Sequence, residues 1–256
     1  MPYKARQLTG FSLGLIFFLA ATNPAAASRY PLPPLPEPHL YGTQVLDRVA
    51  SSKGAKPVVF NHWVHRVHAN CAICHSELEF ALKAGETEIT EADNQAGRYC
   101  GACHDGKIAF GLADNCQRCH SEDRVNEKEK FVAFKRSKYF EETPFGNQID
   151  WVDALRRGQV MPARFYENEY EDMPFDKELS LQAEMQGIPP AIFPHKAHTD
   201  WMDCNLCHPA IFNIKAKTTE HFRMGLILKG EFCGVCHLKV AFPLDDCVRC
   251  HPGMKR

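Results

Sequence analysis

The 256-residue chain has almost no excess of charge of either sign, with 30 basic and 31 acidic residues and a net of −1 at neutral pH. That balance gives no reason to expect nucleic acid or an anionic membrane surface as partner. Beyond the first 27 residues no apolar run is long enough to cross a bilayer. No set of nucleophile, base and acid stands out, so no catalytic residue is assigned. The chain does have core-forming material. Hydrophobic content of 45% and charged content of 24% are globular values and exclude wholesale disorder. At 29.0 kDa there is room for one large domain or two small ones.

Residues 1–27 read as a secretory signal. Lys4 and Arg6 form the basic region, Phe11 to Ala21 the apolar stretch, and Ala25-Ala26-Ala27 the cleavage site. The first cysteine is Cys71, so no lipid-attachment cysteine follows. Export to a bacterial periplasm is the expectation, with extracellular or outer-membrane association as the extension of it. Loss of Lys4 and Arg6 leaves 28 basic and 31 acidic residues, a net of −3.

An exported chain with twelve cysteines invites a disulfide framework, and spacing argues against one. Every cysteine belongs to a Cys-x-x-Cys-His unit, and none is left over. The six units are Cys71/Cys74/His75, Cys100/Cys103/His104, Cys116/Cys119/His120, Cys204/Cys207/His208, Cys233/Cys236/His237 and Cys247/Cys250/His251. This is the attachment signature of c-type haem: two thiols add to the two vinyl groups of one porphyrin, and the adjacent imidazole becomes the proximal iron ligand. A disulfide scaffold has no use for a histidine after each pair. A zinc ribbon, which needs two pairs per metal, does not require one either. The expected cofactors are six covalently attached haem c groups.

The six units form two groups of three with matching surroundings. Phe60-Asn-His62-Trp-Val-His65 precedes Cys71, and Phe193-Pro-His195-Lys-Ala-His198 precedes Cys204. The step from first to second unit is 29 residues in both copies. Tyr99-Cys-Gly-Ala-Cys-His104 mirrors Phe232-Cys-Gly-Val-Cys-His237, and the third units share Arg118 and Arg249.

On these motifs the chain resembles the triheme cytochrome c7 branch of the cytochrome c3 family, over roughly 60–121 and 193–251. The resemblance implies a mostly irregular fold with short α-helices, wrapped around stacked haems in tandem triheme modules. It also implies distal ligands. Six proximal histidines leave His39, His62, His65, His68, His195, His198 and His221. In the family the first histidine of Phe-x-His-x-x-His caps the first haem and the second caps the second. Carried over, His62 joins His75 and His65 joins His104; His195 joins His208 and His198 joins His237. The third distal ligand comes from just before the second haem unit. There copy two has His221, with Met224 as the alternative, but copy one has Glu88. His68 and His39 are the substitutes in copy one. If neither binds, the haem on Cys116 and Cys119 has an open face.

Outside the repeats, residues 28–59 form a proline-rich lead in which Thr43 to Ser52 suggests a short helix. Residues 122–192 connect the modules, and the second module runs over 193–256. The connection is aromatic, with 10 of the 27 aromatic residues within 121–192, so it is expected to be ordered across the modules. Asp150 to Arg157 reads as a helix ended by Gly158. Glu167, Glu169, Glu171 and Asp172 form an acidic cluster, either a solvated face or a docking patch for a basic redox protein. Arg98, Lys107, Arg118, Lys239 and Arg249 are candidates to pair with haem propionates.

The expected function is electron relay between redox protein partners, a membrane-side donor and a terminal acceptor or another cytochrome, with room for peripheral membrane association. The alternatives are a reductase using an open haem in the first module, and a component of an outer-membrane or extracellular conduit.

Overall fold

A computed structural model describes residues 31–121, 125–167, 169, 175–213 and 223–254. The export signal at 1–27, His221, and Glu171 and Asp172 of the acidic cluster lie outside the described residues. The chain is mostly irregular, with short helices and two small sheets.

In chain order the elements are strand β1 (Thr43–Leu46), strand β2 (Val58–Asn61), helix α1 (His62–His65), α2 (Glu91–Gln95), α3 (Cys116–Cys119), α4 (Val125–Lys138) and α5 (Trp151–Arg156). Then follow β3 (Glu178–Leu181), β4 (Ala191–Pro194), α6 (His195–Thr199), α7 (Cys204–Cys207), α8 (Met224–Ile227), α9 (Gly234–His237) and α10 (Cys247–Cys250). No helix among the described residues is long and apolar enough to cross a membrane.

The duplication extends further upstream than the motifs. β1 pairs antiparallel with β2, Thr43 opposite Asn61, and β3 pairs antiparallel with β4, Glu178 opposite Pro194. Each ladder delivers the chain directly into the helical turn that carries the paired histidines, α1 or α6. The expected helix over Thr43 to Ser52 is therefore corrected to a strand over Thr43–Leu46. Its four residues carry no strong helical preference, and cross-strand pairing decides their state.

The connecting segment forms a side-chain core of its own. Phe131 on α4, Phe140, Ile149, Trp151 and Ala154 on α5, and Val160 bury against Trp63 of the first copy and Trp201 of the second. Phe131 meets Trp63 edge-on at 5.2 Å, and Trp151 lies 5.4 Å from Phe140. Asp150 caps α5 by accepting from the Asp153 amide at 3.0 Å, and Gly158 turns the chain with φ +68°. Further on, the same segment runs beside the first copy. Asn70 N–H donates to the Ala163 carbonyl, Ala163 N–H donates to His68, and the Tyr166 hydroxyl donates to the Ala102 carbonyl at 2.9 Å. Buried Glu127 accepts from Asn61 Nδ2, which fixes α4 to the end of β2.

Candidate haem sites

One helical turn explains the spacing of five of the six attachment units, and in the first, residues 73–77 run as a π-helical turn. At 3.6 residues per turn, positions i, i+3 and i+4 project to one side. The amide of the unit's histidine returns to the carbonyl of its first cysteine at 2.9 Å in His104, 2.8 Å in His120, His208 and His251, and 3.0 Å in His237. Both thiols and the imidazole are thereby presented together. None of the twelve cysteines is in a disulfide.

The histidines share a second arrangement. In all six proximal candidates Nδ1 faces a main-chain carbonyl: Phe80 for His75 (2.8 Å), Phe110 for His104 (3.1 Å), Lys56 for His120 (2.6 Å), Phe212 for His208 (2.6 Å), Phe242 for His237 (2.8 Å) and Pro189 for His251 (2.7 Å). Four distal candidates do the same. His62 faces Gly42, His65 faces Asn61, His195 faces Lys177 and His198 faces Pro194, at 2.7–2.8 Å. A carbonyl can only accept, so Nδ1 carries the hydrogen and Nε2 is left with its lone pair. Burial reinforces the neutral state. It pushes His62 down to about 3 and His237 to about 4, and lowers His65, His75 and His198 as well.

Ring distances connect the candidates. His62 and His75 lie 6.5 Å apart, nearly parallel at 8°. His65 and His104 lie 6.3 Å apart at 64°, and His198 and His237 lie 6.2 Å apart at 65°. With metal–nitrogen bonds of about 2.0–2.1 Å, two imidazoles on opposite sides of one ion have centres roughly 6 Å apart. No ring contact of this kind joins His195 and His208. Phe60 stacks on His65 at 4.3 Å, and Phe193 stacks on His198 at 4.2 Å.

The third positions differ. His39 is buried, with Nδ1 3.4 Å from the Glu37 carboxylate, whereas the His68 ring is exposed. Neither has Nδ1 on a main-chain carbonyl. Glu88 lies 3.4 Å from Arg48. Met224 opens α8. Among the basic candidates, Arg98 pairs with Asp93, and Arg249 pairs with Asp246 at 2.7 Å and Asp150 at 3.2 Å. Arg118 covers the Phe110 ring at 3.7 Å and Arg249 the Phe242 ring at 5.0 Å. These are the two phenylalanines whose carbonyls orient His104 and His237.

The donor set fits a porphyrin. Among the described residues no three His, Cys, Asp or Glu side chains converge as a bare ion would require, whereas a porphyrin supplies four nitrogens and asks the protein for two. Burial pushes the Cys74 and Cys236 thiols up to about 12, and those of Cys100, Cys207, Cys233 and Cys250 to about 11. Sequence reasoning missed the carbonyl partners, since every residue type has a carbonyl and no motif marks the ones used. It also missed Arg66.

The family model described as cytochrome c7 and related cytochrome c matches residues 58–121 and 191–252. A c7-type three-haem cytochrome domain of known structure is 40% identical, aligned over 31% of this chain and 91% of its own, with a TM-score of 0.28. The C-terminal hexahaem fragment of GSU1996 is 27% identical over 82% of this chain and 96% of its own, TM-score 0.27. The dodecahaem cytochrome c GSU1996 is 27% identical over 84% of this chain and 75% of its own, TM-score 0.29. No curated protein matches the chain.

Proposed function

The chain belongs to the cytochrome c7 family as a multihaem c-type cytochrome with covalent haem c at its Cys-x-x-Cys-His units, and from that premise we propose that it relays electrons through six haems in the periplasm. Bound haem supplies one-electron exchange between ferrous and ferric iron. The protein's part is to hold and orient. His75, His104, His120, His208, His237 and His251 serve as proximal ligands, and His62, His65, His195 and His198 as distal ones. Two imidazoles on one iron leave no coordination position for a substrate, and that is the property of a carrier.

The observation that carries this reading is the shared fixing of ten histidines through Nδ1, which aims ten Nε2 lone pairs in advance. On this reading the modules run over 60–121 and 193–256, joined by residues 122–192, and the matching ladders β1–β2 and β3–β4 support the division. Donor and acceptor are other redox proteins met at the surface.

Intact-mass measurement of the secreted protein is expected to show six haem additions and a chain beginning after residue 27. EPR of the ferric protein is expected to be dominated by low-spin iron. Fewer additions or a retained leader would overturn the hexahaem or export assignment respectively.

A second reading concerns the haem on Cys116 and Cys119. It is favoured by Glu88, engaged with Arg48, standing where copy two has His221, and by the missing main-chain latch on His39 and His68. On that reading this iron takes an external ligand, and carbon monoxide binds one haem in six. A reduced spectrum unchanged by carbon monoxide excludes it.

A further inference from the structure

We propose that Arg66 sets the reduction potentials of two haem sites that meet where the copies join, the one anchored by Cys71 and Cys74 and the one anchored by Cys233 and Cys236. The inference rests on haem attachment at those cysteines.

The junction is built from both copies. The Cys71 amide donates to the Trp201 carbonyl at 2.9 Å, and α7 packs against residues 73–77. The Tyr41 hydroxyl donates to the Ala241 carbonyl at 2.6 Å. Arg66 directly follows His65 and crosses this junction. Its Nη2 donates to the Val240 carbonyl at 2.7 Å, and its guanidinium lies 4.8 Å from the Trp151 ring and 5.9 Å from that of Trp201. Val240, which accepts from Arg66, donates its own amide to the Cys236 carbonyl at 2.9 Å, and Trp201, whose ring faces the guanidinium, accepts from the Cys71 amide, so the charge reaches an attachment unit of each copy.

What sets Arg66 apart is a cation drawn out of solvent with no protein carboxylate beside it; Arg118, which also lies on a ring without one, is exposed. Arg48, Arg98, Arg156, Arg157 and Arg249 each face a carboxylate. Among the described residues Arg66 faces only a carbonyl and aromatic rings. A cation partly withdrawn from water and with no protein carboxylate beside it acts on nearby charge, because the medium screens it less than bulk water does. Adding one electron to an adjacent iron lowers the local positive charge by one, so the cation favours the reduced state. A haem held at either site would take its electron from a redox protein partner, which is oxidised as the haem is reduced, and no proton or atom would move. The corresponding position in the second copy is Thr199. The charge therefore occurs once, and it separates sites that the duplication would otherwise make alike.

The test is a potentiometric titration with individual haems assigned by NMR, on Arg66→Met and Arg66→Gln, which remove the charge, and Arg66→Lys, which keeps it. Tyr41→Phe, which removes a junction hydrogen bond without changing charge, is the structural control. Six haems by mass in each variant checks the premise separately. The neutral variants are expected to lower two potentials by on the order of tenfold in the reduction equilibrium, about 59 mV for one electron. Arg66→Lys and Tyr41→Phe are expected to leave them near the parent values. Unchanged potentials in a six-haem neutral variant would overturn the proposal, as would six potentials moving together or a lysine variant that behaves like methionine. If neither neutral variant matures with six haems, the parent protein decides: the haems on Cys71/Cys74 and Cys233/Cys236 must titrate at higher potential than their counterparts on Cys204/Cys207 and Cys100/Cys103, and equal or reversed potentials overturn the proposal.

Discussion

A single methyl group tests how tightly the middle attachment turn of each copy is built. A Cβ at Gly101 would sit 1.8 Å from the Asn94 carbonyl oxygen, and one at Gly234 would sit 1.9 Å from that of Ile227. The obstacle is main chain, which cannot rotate aside as a side chain does. Gly101→Ala and Gly234→Ala are expected to cost more than the ~1–3 kcal/mol of ordinary overpacking, read as a lowered thermal midpoint or loss of mature protein. Gly158 has φ +68° and open space around it, so Gly158→Ala should cost only the ~1–2 kcal/mol of a left-handed backbone. The glycine was visible in both Cys-Gly-x-Cys units, but its reason was not. The clash comes from a carbonyl seven residues upstream, and only the folded turn brings that carbonyl near. The histidines were more legible, because a turn of helix fixes Cys, Cys and His relative to one another. Which carbonyl orients each ring depends on residues as far away as Lys56 from His120 and Pro189 from His251.

At the scale of elements, the connecting segment couples the two copies through one cluster. Phe131 and Trp151 touch a core that contains both Trp63 and Trp201. Phe131→Ala and Trp151→Ala are each expected to destabilise by ~3–5 kcal/mol. In denaturant titrations monitored at haem signals from each copy, the loss should appear in both. Destabilisation confined to one copy would show that the cluster does not join them. The aromatic content of this segment pointed to order, and α5 was legible from its Asp150 cap and its Gly158 stop. α4 was not, since Phe131 and Phe134 stand among charged residues and Val132 on the same helix is exposed. β1 was read in the wrong state for a related reason. Four residues hold too little local preference, and its partner β2 decides.

Across the whole molecule, ligand burial makes stability depend on pH in one direction. His62 is held down to about 3 and His237 to about 4, against an ordinary value near 6.5. Burial keeps both rings neutral in the folded chain, and an iron held at Nε2 would keep them so more firmly, so in acid the unfolded chain binds more protons and stability falls as pH falls. Thermal midpoints of the haem-loaded protein should therefore decline on acidification below the ordinary imidazole range, about pH 6.5. A midpoint that rises on acidification would contradict the burial of these rings. The carbonyl latches have a consequence of another kind. Because every amino acid offers the same acceptor, no side-chain replacement at Phe80, Phe110, Lys56, Phe212 or Phe242 can delete one; only a shift of the main chain can. Ligand orientation is thus written in the path of the chain rather than in its lettering, and the two halves are free to drift apart in composition while their imidazoles keep the same aim.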